Sequence, residues 1–345
     1  MITGIKDRMP VTIRDLAKKL NLSITQVSRA LGGYDDVSEA TRERVIEAAR
    51  EIGYEPSYAA RQLRRKRTDA IGFILPTSSP RFSDPFYANF LAGLCDEAAL
   101  HQVDLVVSSC PPSSNLEKVM YQRWLQSSRV DGIVINRVRI HDWRVEYLAE
   151  NHMPFITLGL PDSNHNFPAI QVDERGGFVR LVLYLKDKGH RRIAFISGPS
   201  ELVIQQERFG GYRQGLSAAG MEYDEQLVAQ SELTEESGYL AAQELLSRRN
   251  PPTAILGCND QIAIGALRAA KETGRKVGAE FAVAGYDGIR EAEYSDPPLT
   301  TLSQPTYDIA RQLVQMLVTA INHNQLSQPR TVVVPELILR ASTEG

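Results

Sequence analysis

Cysteine is scarce: three residues, Cys95, Cys110 and Cys258, are spread over 345 positions. Their odd number and wide spacing exclude a disulfide framework, and without a CxxC pair they offer no zinc site. The six histidines show no metal-ligand spacing, so no metal is expected. No run approaches the ~18 consecutive apolar residues that a membrane span needs. The opening MITGIKDRMPVTIRDLA has no apolar segment of the kind a secretory signal carries. The chain is therefore expected to work in the cytoplasm with no membrane partner. It also lacks GxSxG, a P-loop and GxGxxG. Those absences remove the nucleophile elbow, the phosphate loop and the dinucleotide fingerprint, and no cofactor is expected.

What is present divides by charge. Residues 1–70 hold 14 basic and 10 acidic side chains, a net of +4, against 25 and 32 in the remainder, a net of −7. A small basic head on an acidic body points toward nucleic acid. Within the head, Thr12 precedes IRDLAKKL, whose Ile13, Leu16, Ala17 and Leu20 share one helical face. Ser23-Ile-Thr-Gln26 reads as a capping box opening a second helix at Ile24, ended by Gly32-Gly33. Ser38 caps a longer third helix that Gly53 closes. The second helix is the informative one: opposite its apolar Val27, Ala30 and Leu31 stand Ile24, Thr25, Gln26, Ser28 and Arg29, with no acid. Three short helices with a tight first turn predict a helix-turn-helix whose second helix lies in the DNA major groove. Ile24 and Thr25 are expected to reach bases first, and Arg29 a guanine edge or a phosphate. The other reading is a generic three-helix bundle with a wet face.

Downstream, five of the seven residues 61–67 are basic. Such a segment is expected to order only when phosphates neutralise it, unless it is a plain solvated linker. From Asp69 onward short apolar strands alternate with amphipathic helices in two series, which predicts two lobes with parallel sheets. Ligands bind beyond the carboxyl ends of such strands. There the sequence places Asp84, Phe86, Tyr87, Asn136, Arg137, Asp173, Asn259, Asp260, Tyr286 and Asp287, with Arg208 near the start of a second-lobe helix. Carboxylates, amides, arginines and aromatics suit a polyhydroxylated ligand, whose hydroxyls both donate and accept. Asp260 and Asp287 could instead be a glycosidase-like acid pair; acids at strand ends serve sugar binding equally well, and binding is preferred.

The chain resembles the lactose/galactose repressor family of bacterial transcription regulators from about Pro10 to about Thr343. VTIRDLAKKLNLSITQVSRALGG, VSEATRERVIEAAREIGYEPSYAARQL, DPFYANFLAGL, VDGIVI, VDERGG, GHRRIAFISGP, ERFGGYRQGL, PTAILGCNDQIAIGAL, VAGYDG and PPLTTL follow the family's order and spacing. The resemblance implies an all-α helix-turn-helix head (10–56), a hinge (57–68) and an α/β two-lobed body of the periplasmic-binding-protein type (69–343). The first lobe is expected over about 69–188 and 304–328, the second over 189–303 and 329–343. It further implies a homodimer that clamps a palindromic operator and answers to a small effector, here a sugar, held between the lobes. DNA contacts are then expected from Thr12, Ser23, Ile24, Thr25, Gln26, Ser28 and Arg29, and from hinge residues Ser57, Tyr58, Ala60, Arg61 and Leu63, with Leu63 as the wedge between base steps. The effector positions correspond to Phe86, Tyr87, Asp173, Arg208, Asn259 and Asp287. Arg137 is added because INRVRIHDWRVEYLAENHMPFITLGLP is similar to the matching stretch of members that answer to oligosaccharides. Leu233 stands where several members place an aromatic lid, and Leu202 where a purine-responsive member has an arginine; both argue against a purine. Ile24-Thr25 departs from other members, so the operator sequence does not carry over. Residues 1–9 precede the family's usual start, with Met9 as an alternative first residue. The chain ends soon after its last strand, without the leucine-rich tail of tetrameric members.

Overall fold

The computed structural model of the protein describes residues 11–54, 67–77, 84–323 and 330–344. The chain forms two compact units that divide between Thr68 and Asp69. The smaller contains α1 (Ile13–Leu20), α2 (Ile24–Leu31) and α3 (Glu39–Ile52). Each helix start is set by a side chain that satisfies an otherwise orphaned amide. Thr12 with Asp15, and Ser23 with Gln26, form reciprocal capping boxes, and Ser38 accepts from the Thr41 amide. α1 stops at Asn21 and α3 at Gly53, both left-handed (φ 51° and 68°). Leu16, Ala17, Val27, Ala30, Val45, Ala48 and Ala49 meet in a small core. The three predicted helices and their caps are all present.

The larger unit has twelve described strands: β1 (Ala70–Pro76), β2 (Asp104–Cys110), β3 (Gly132–Ile135), β4 (Phe155–Leu158), β5 (Ala169–Val172), β6 (Ile193–Ser197), β7 (Val228–Gln230), β8 (Ala254–Gly257), β9 (Ala282–Asp287), β10 (Thr300–Ser303), β11 (Arg330–Val333) and β12 (Glu336–Ile338). Its helices are α4 (Pro85–Leu100), α5 (Asn115–Gln126), α6 (Trp143–Glu150), α7 (Glu174–Asp187), α8 (Val203–Ala218), α9 (Glu235–Ser247), α10 (Asp260–Glu272), α11 (Arg290–Tyr294) and α12 (Thr306–His323). The first sheet runs β11-β5-β4-β3-β1-β2 and the second β12-β10-β9-β8-β6-β7. Neighbouring strands are parallel apart from β10 with β12. In the first lobe, Phe90 and Leu94 of α4 pack with Ile309, Leu313 and Leu317 of α12 in one core. Tyr121 and Trp124 of α5 pack with Val145 and Leu148 of α6 in another. The second lobe has one continuous core.

The lobe boundaries differ from the sequence reading in two places. α7, assigned to the first lobe, puts Phe178, Leu181, Val182 and Leu185 into the core of the second. It lies so close to α8 that a Cβ on Gly211 would come within 2.3 Å of the Arg175 carbonyl. β11, assigned to the second lobe, pairs with β5 in the first. The periodicity of a segment shows that it buries a face, but not which sheet that face meets. The chain therefore crosses between lobes after β5, after β10 and after β11.

Candidate functional site

The exposed face of α2 is as the sequence described it. Ile24 is 45% exposed, Thr25 and Gln26 are exposed, and the first turn carries no acid. The capping residues are engaged locally. Ser23 Oγ accepts from the Gln26 amide (3.1 Å), Gln26 Oε1 accepts from the Ser23 amide (3.0 Å), and Thr12 Oγ1 donates to Asp15 (2.7 Å). Ser28 is half-buried. Arg29 is not free to reach outward in this state. Its Nε donates to Asp36 Oδ1 (3.1 Å), Nη2 lies 2.5 Å from Asp36 Oδ2, and the guanidinium sits 4.9 Å above the Tyr34 ring. Both partners are substantially exposed, so the pair is worth at most about 1 kcal/mol, and a phosphate can displace Asp36. Ser57, Tyr58, Ala60, Arg61 and Leu63 lie outside the described residues.

In the larger unit, a cavity opens between the lobes. The first lobe brings Phe86, Tyr87 and Arg137 to its wall, and the second brings Arg208, Leu233, Asn259 and Asp287. The fold explains the convergence: Phe86 and Tyr87 start α4 after β1, Arg137 follows β3, Asn259 caps α10 after β8, and Asp287 ends β9. Asp84 caps α4 through the Phe86 amide (3.1 Å) and forms an ion pair with Arg137 (2.7 Å), whose guanidinium lies 5.3 Å from the Tyr87 ring centre. Burial raises the Asp84 carboxyl against the lowering influence of Arg137. Beside this pair the buried Asn136 amide nitrogen has no hydrogen-bond partner, while its oxygen accepts from the Arg137 amide.

Across the cavity Arg208 is 3% exposed and fully committed. It donates to Glu174 (2.6 Å and 3.3 Å), to the Cys258 carbonyl (2.6 Å) and to Asp287 (3.3 Å), and stacks 3.8 Å from the Tyr286 ring centre. Asp287 also accepts from Gln304 Nε2 (2.8 Å). Burial, with the charges of Asp84 and Glu174, pushes the Asp287 carboxyl up to about 7, although Arg208 and Gln304 pull it down. Leu158, Leu160, Val203, Ile204 and Leu233 supply apolar wall.

Two expectations fail here. Asp173 does not line the cavity, although its neighbours Val172 and Glu174 do. Its carboxylate caps α7 by accepting from the Gly176 amide (3.0 Å). The first acid after a strand that leads into a helix is drawn to the helix amides, and the second is left for the cleft. Glu174, the acid that holds Arg208, was overlooked for that reason; the signal was the adjacent pair of acids in VDERGG. Asp260 does not reach the cavity wall either. It accepts from the Gly288 and Ile289 amides (2.8 and 2.9 Å) and from Thr301 (2.6 Å). Burial and the Asp287 charge raise its carboxyl to about 8. It supports the loop that carries Asp287 and does not form an acid pair with it. Among the described residues, no group of histidine, cysteine and carboxylate side chains could hold a metal ion, and no helix is long and apolar enough to cross a membrane.

Donors, acceptors and apolar wall in one cleft fit a ring bearing several hydroxyls. Comparison with known proteins agrees with both halves of this picture. Residues 12–57 match the family model for bacterial regulatory proteins of the lacI family, and residues 182–343 that for a periplasmic binding protein-like domain. The HTH-type transcriptional regulator AglR of Rhizobium meliloti is 34% identical over 97% of this chain and 95% of its own length. The regulator CelR of Thermobifida fusca is 35% identical over 92% and 93%. Among solved structures, a complex of the transcriptional regulator CelR with cellobiose superposes with a TM-score of 0.75 at 32% identity, covering 96% of this chain and 99% of that one. A lac repressor dimer bound to operator and the anti-inducer ONPF gives 0.81 at 27% identity, covering 97% and 100%.

Proposed function

Because the chain belongs to the lacI family of bacterial regulatory proteins and is a DNA-binding transcription regulator, we propose that it acts as a cytoplasmic homodimeric repressor whose affinity for a palindromic operator is switched by an oligosaccharide bound between the lobes. The observation that carries the reading is one chain holding both an acid-free exposed helix and a cleft with paired charges on each lobe. The cleft is concave and lined by both lobes, the setting in which small-molecule sites form. Its arginines are already paired with carboxylates, which suits an uncharged ligand, and the Asn136 amide supplies an unused donor. The named cellobiose complex of a related regulator supports a disaccharide as the first probe. Phe86, Tyr87, Arg137, Arg208, Leu233, Asn259 and Asp287 are the proposed effector residues. Ile24, Thr25 and Gln26 are the proposed base-reading residues, with residues 57–68 as the proposed hinge and Leu63 as its wedge.

The test is a melting screen of the full chain against mono- and disaccharides, followed by operator titration with and without any hit. A ligand at 100 times its Kd should stabilise the folded body by about 2.7 kcal/mol. A sugar that shifts melting and changes operator affinity supports the reading. Absence of any shift across the panel overturns the sugar assignment, and a shift without any change in operator affinity overturns the switch.

A further inference from the structure

Among the described residues, and away from the three crossovers, two main-chain hydrogen bonds join the lobes. The Ile140 amide donates to the Glu201 carbonyl (2.9 Å) and the Val203 amide to the Val138 carbonyl (3.0 Å). Arg139 and Leu202 thus face each other as an antiparallel bridge. Val203, the first residue of α8 in the second lobe, packs on the first-lobe core that includes Val138. Both sides of this short ladder adjoin the cleft, through Arg137 on one lobe and Val203 and Ile204 on the other.

The first-lobe side is held from within by four buried charges. Glu117 accepts from Arg139 Nη2 (2.8 and 3.0 Å). Asp142 accepts from the Arg139 amide (2.9 Å) and from Arg144 Nε and Nη2 (2.8 and 2.6 Å). Arg144 Nη2 in turn donates to the Arg137 carbonyl (3.0 Å). Each of these four residues is at most 8% exposed. Withdrawing four charges from water is expensive, and hydrophobic packing would fill the space at least as well. What the charges achieve is local: they hold a loop in which Arg137 is left-handed (φ 47°) and whose next residues turn to meet the other lobe.

We propose that the 138–140/201–203 ladder is a clasp that holds the cleft closed before any ligand arrives, and that Glu117, Asp142 and Arg144 are positioning residues that set it. Its role rests on reading the cleft as the effector site: a ligand enters only while the clasp is open. Its test needs no sugar.

The test is residue-resolved amide hydrogen exchange on the ligand-free full chain. Val203→Pro deletes one donor at the first position of a helix, where proline is accommodated. The preceding Leu202 already has φ −83° and ψ 135°, the conformation proline demands of its predecessor. Val203→Ala trims the side chain and keeps the N–H. Asp142→Asn keeps an acceptor for the α6 cap and removes the charge. Losing one hydrogen bond of the ladder should speed exchange of the Ile140 amide roughly fivefold in Val203→Pro, and clearly less in Val203→Ala. Asp142→Asn should speed exchange of the Val203 amide, which belongs to the other lobe; a defect confined to first-lobe packing would not. Amides of β3 and β8 should keep wild-type rates throughout. Wild-type exchange at Ile140 in Val203→Pro, or at Val203 in Asp142→Asn, overturns the clasp. If Val203→Pro does not fold, the Asp142→Asn result decides alone. Should these rates behave as expected while no sugar shifts melting, the clasp stands and the effector reading falls.

Discussion

Asp287→Asn separates what the carboxylate does for the ligand from what it does to the fold. Asn keeps an oxygen to accept from Gln304 and Arg208, while Arg208 retains Glu174 as its charged partner. In the wild type the Asp287 carboxyl is held up at about 7 by burial and by Asp84 and Glu174. In the unfolded chain it ionises near its ordinary value of about 4. Between those two values the folded form keeps a proton that the unfolded form has lost, so stability falls as pH rises through the window. Three pH units correspond to about 4 kcal/mol as an upper bound, reduced by whatever the loop can relax. The asparagine variant should therefore show a flatter stability profile between pH 5 and 7.5, and be at least as stable as wild type at pH 7.5. Its ligand affinity should move the other way. At pH 7.5, above the value at which Asp287 ionises, a hydrogen bond to a charged acceptor contributes about 1.5–3 kcal/mol, so sugar binding should weaken there by roughly 10- to 150-fold. The head is a separate unit, and operator affinity without sugar should be unchanged. Urea unfolding at four pH values, beside operator titrations with and without the cognate sugar, measures all three. A wild-type pH profile would refute the buried-carboxyl reasoning, and a wild-type sugar response would refute the placement of the ligand.

Arg208→Ala should behave differently, because it strands Glu174 in a buried site; a loss of about 3–5 kcal/mol in unfolding free energy is expected, and a melting temperature near wild type would show that Glu174 finds another partner. Ser23→Ala removes one side of the α2 capping box and should cost the head about 1 kcal/mol, read as loss of operator binding on heating while melting of the larger unit is unmoved. With ~4 phosphates neutralised per protomer by the 61–67 cluster, the slope of log K for operator binding against log salt should approach about −7, and a slope shallower than about −3 removes that cluster from the interface. Exchanging Ile24 and Thr25 together should change the operator recovered by selection, and recovery of the original operator would contradict their placement against the bases.

The cleft was legible in the sequence because parallel strands deliver their following residues to one edge, whatever the details of packing. Phe86, Arg137, Asn259 and Asp287 could be chosen by counting from apolar runs alone. Asp173 and Glu174 could not be told apart, since which acid caps the helix and which turns inward depends on where the helix begins. The pairing of Arg29 with Asp36 was equally hidden, because it depends on the path of the turn after α2. The burial of Glu117 on α5 and of Asp142 before α6 has no signature in the sequence. Burial by a partner 22 residues away in the chain (Glu117 with Arg139) leaves no trace in local periodicity. The destination of α7 and β11 was hidden for a similar reason, as both choices bury the same apolar face.

The three crossovers also set an order of events during synthesis. Among the described residues the head's core is closed by Tyr54, so the head can fold early in synthesis. The first lobe cannot follow suit: Ile309, Leu313 and Leu317, which complete one of its cores, come near the end of the message, and its edge strand β11 comes later still. A ribosome that stalls after β10 therefore releases a chain with a finished reading head on an open apolar sheet. Such a fragment exposes apolar surface that the complete chain buries, which makes it prone to aggregate.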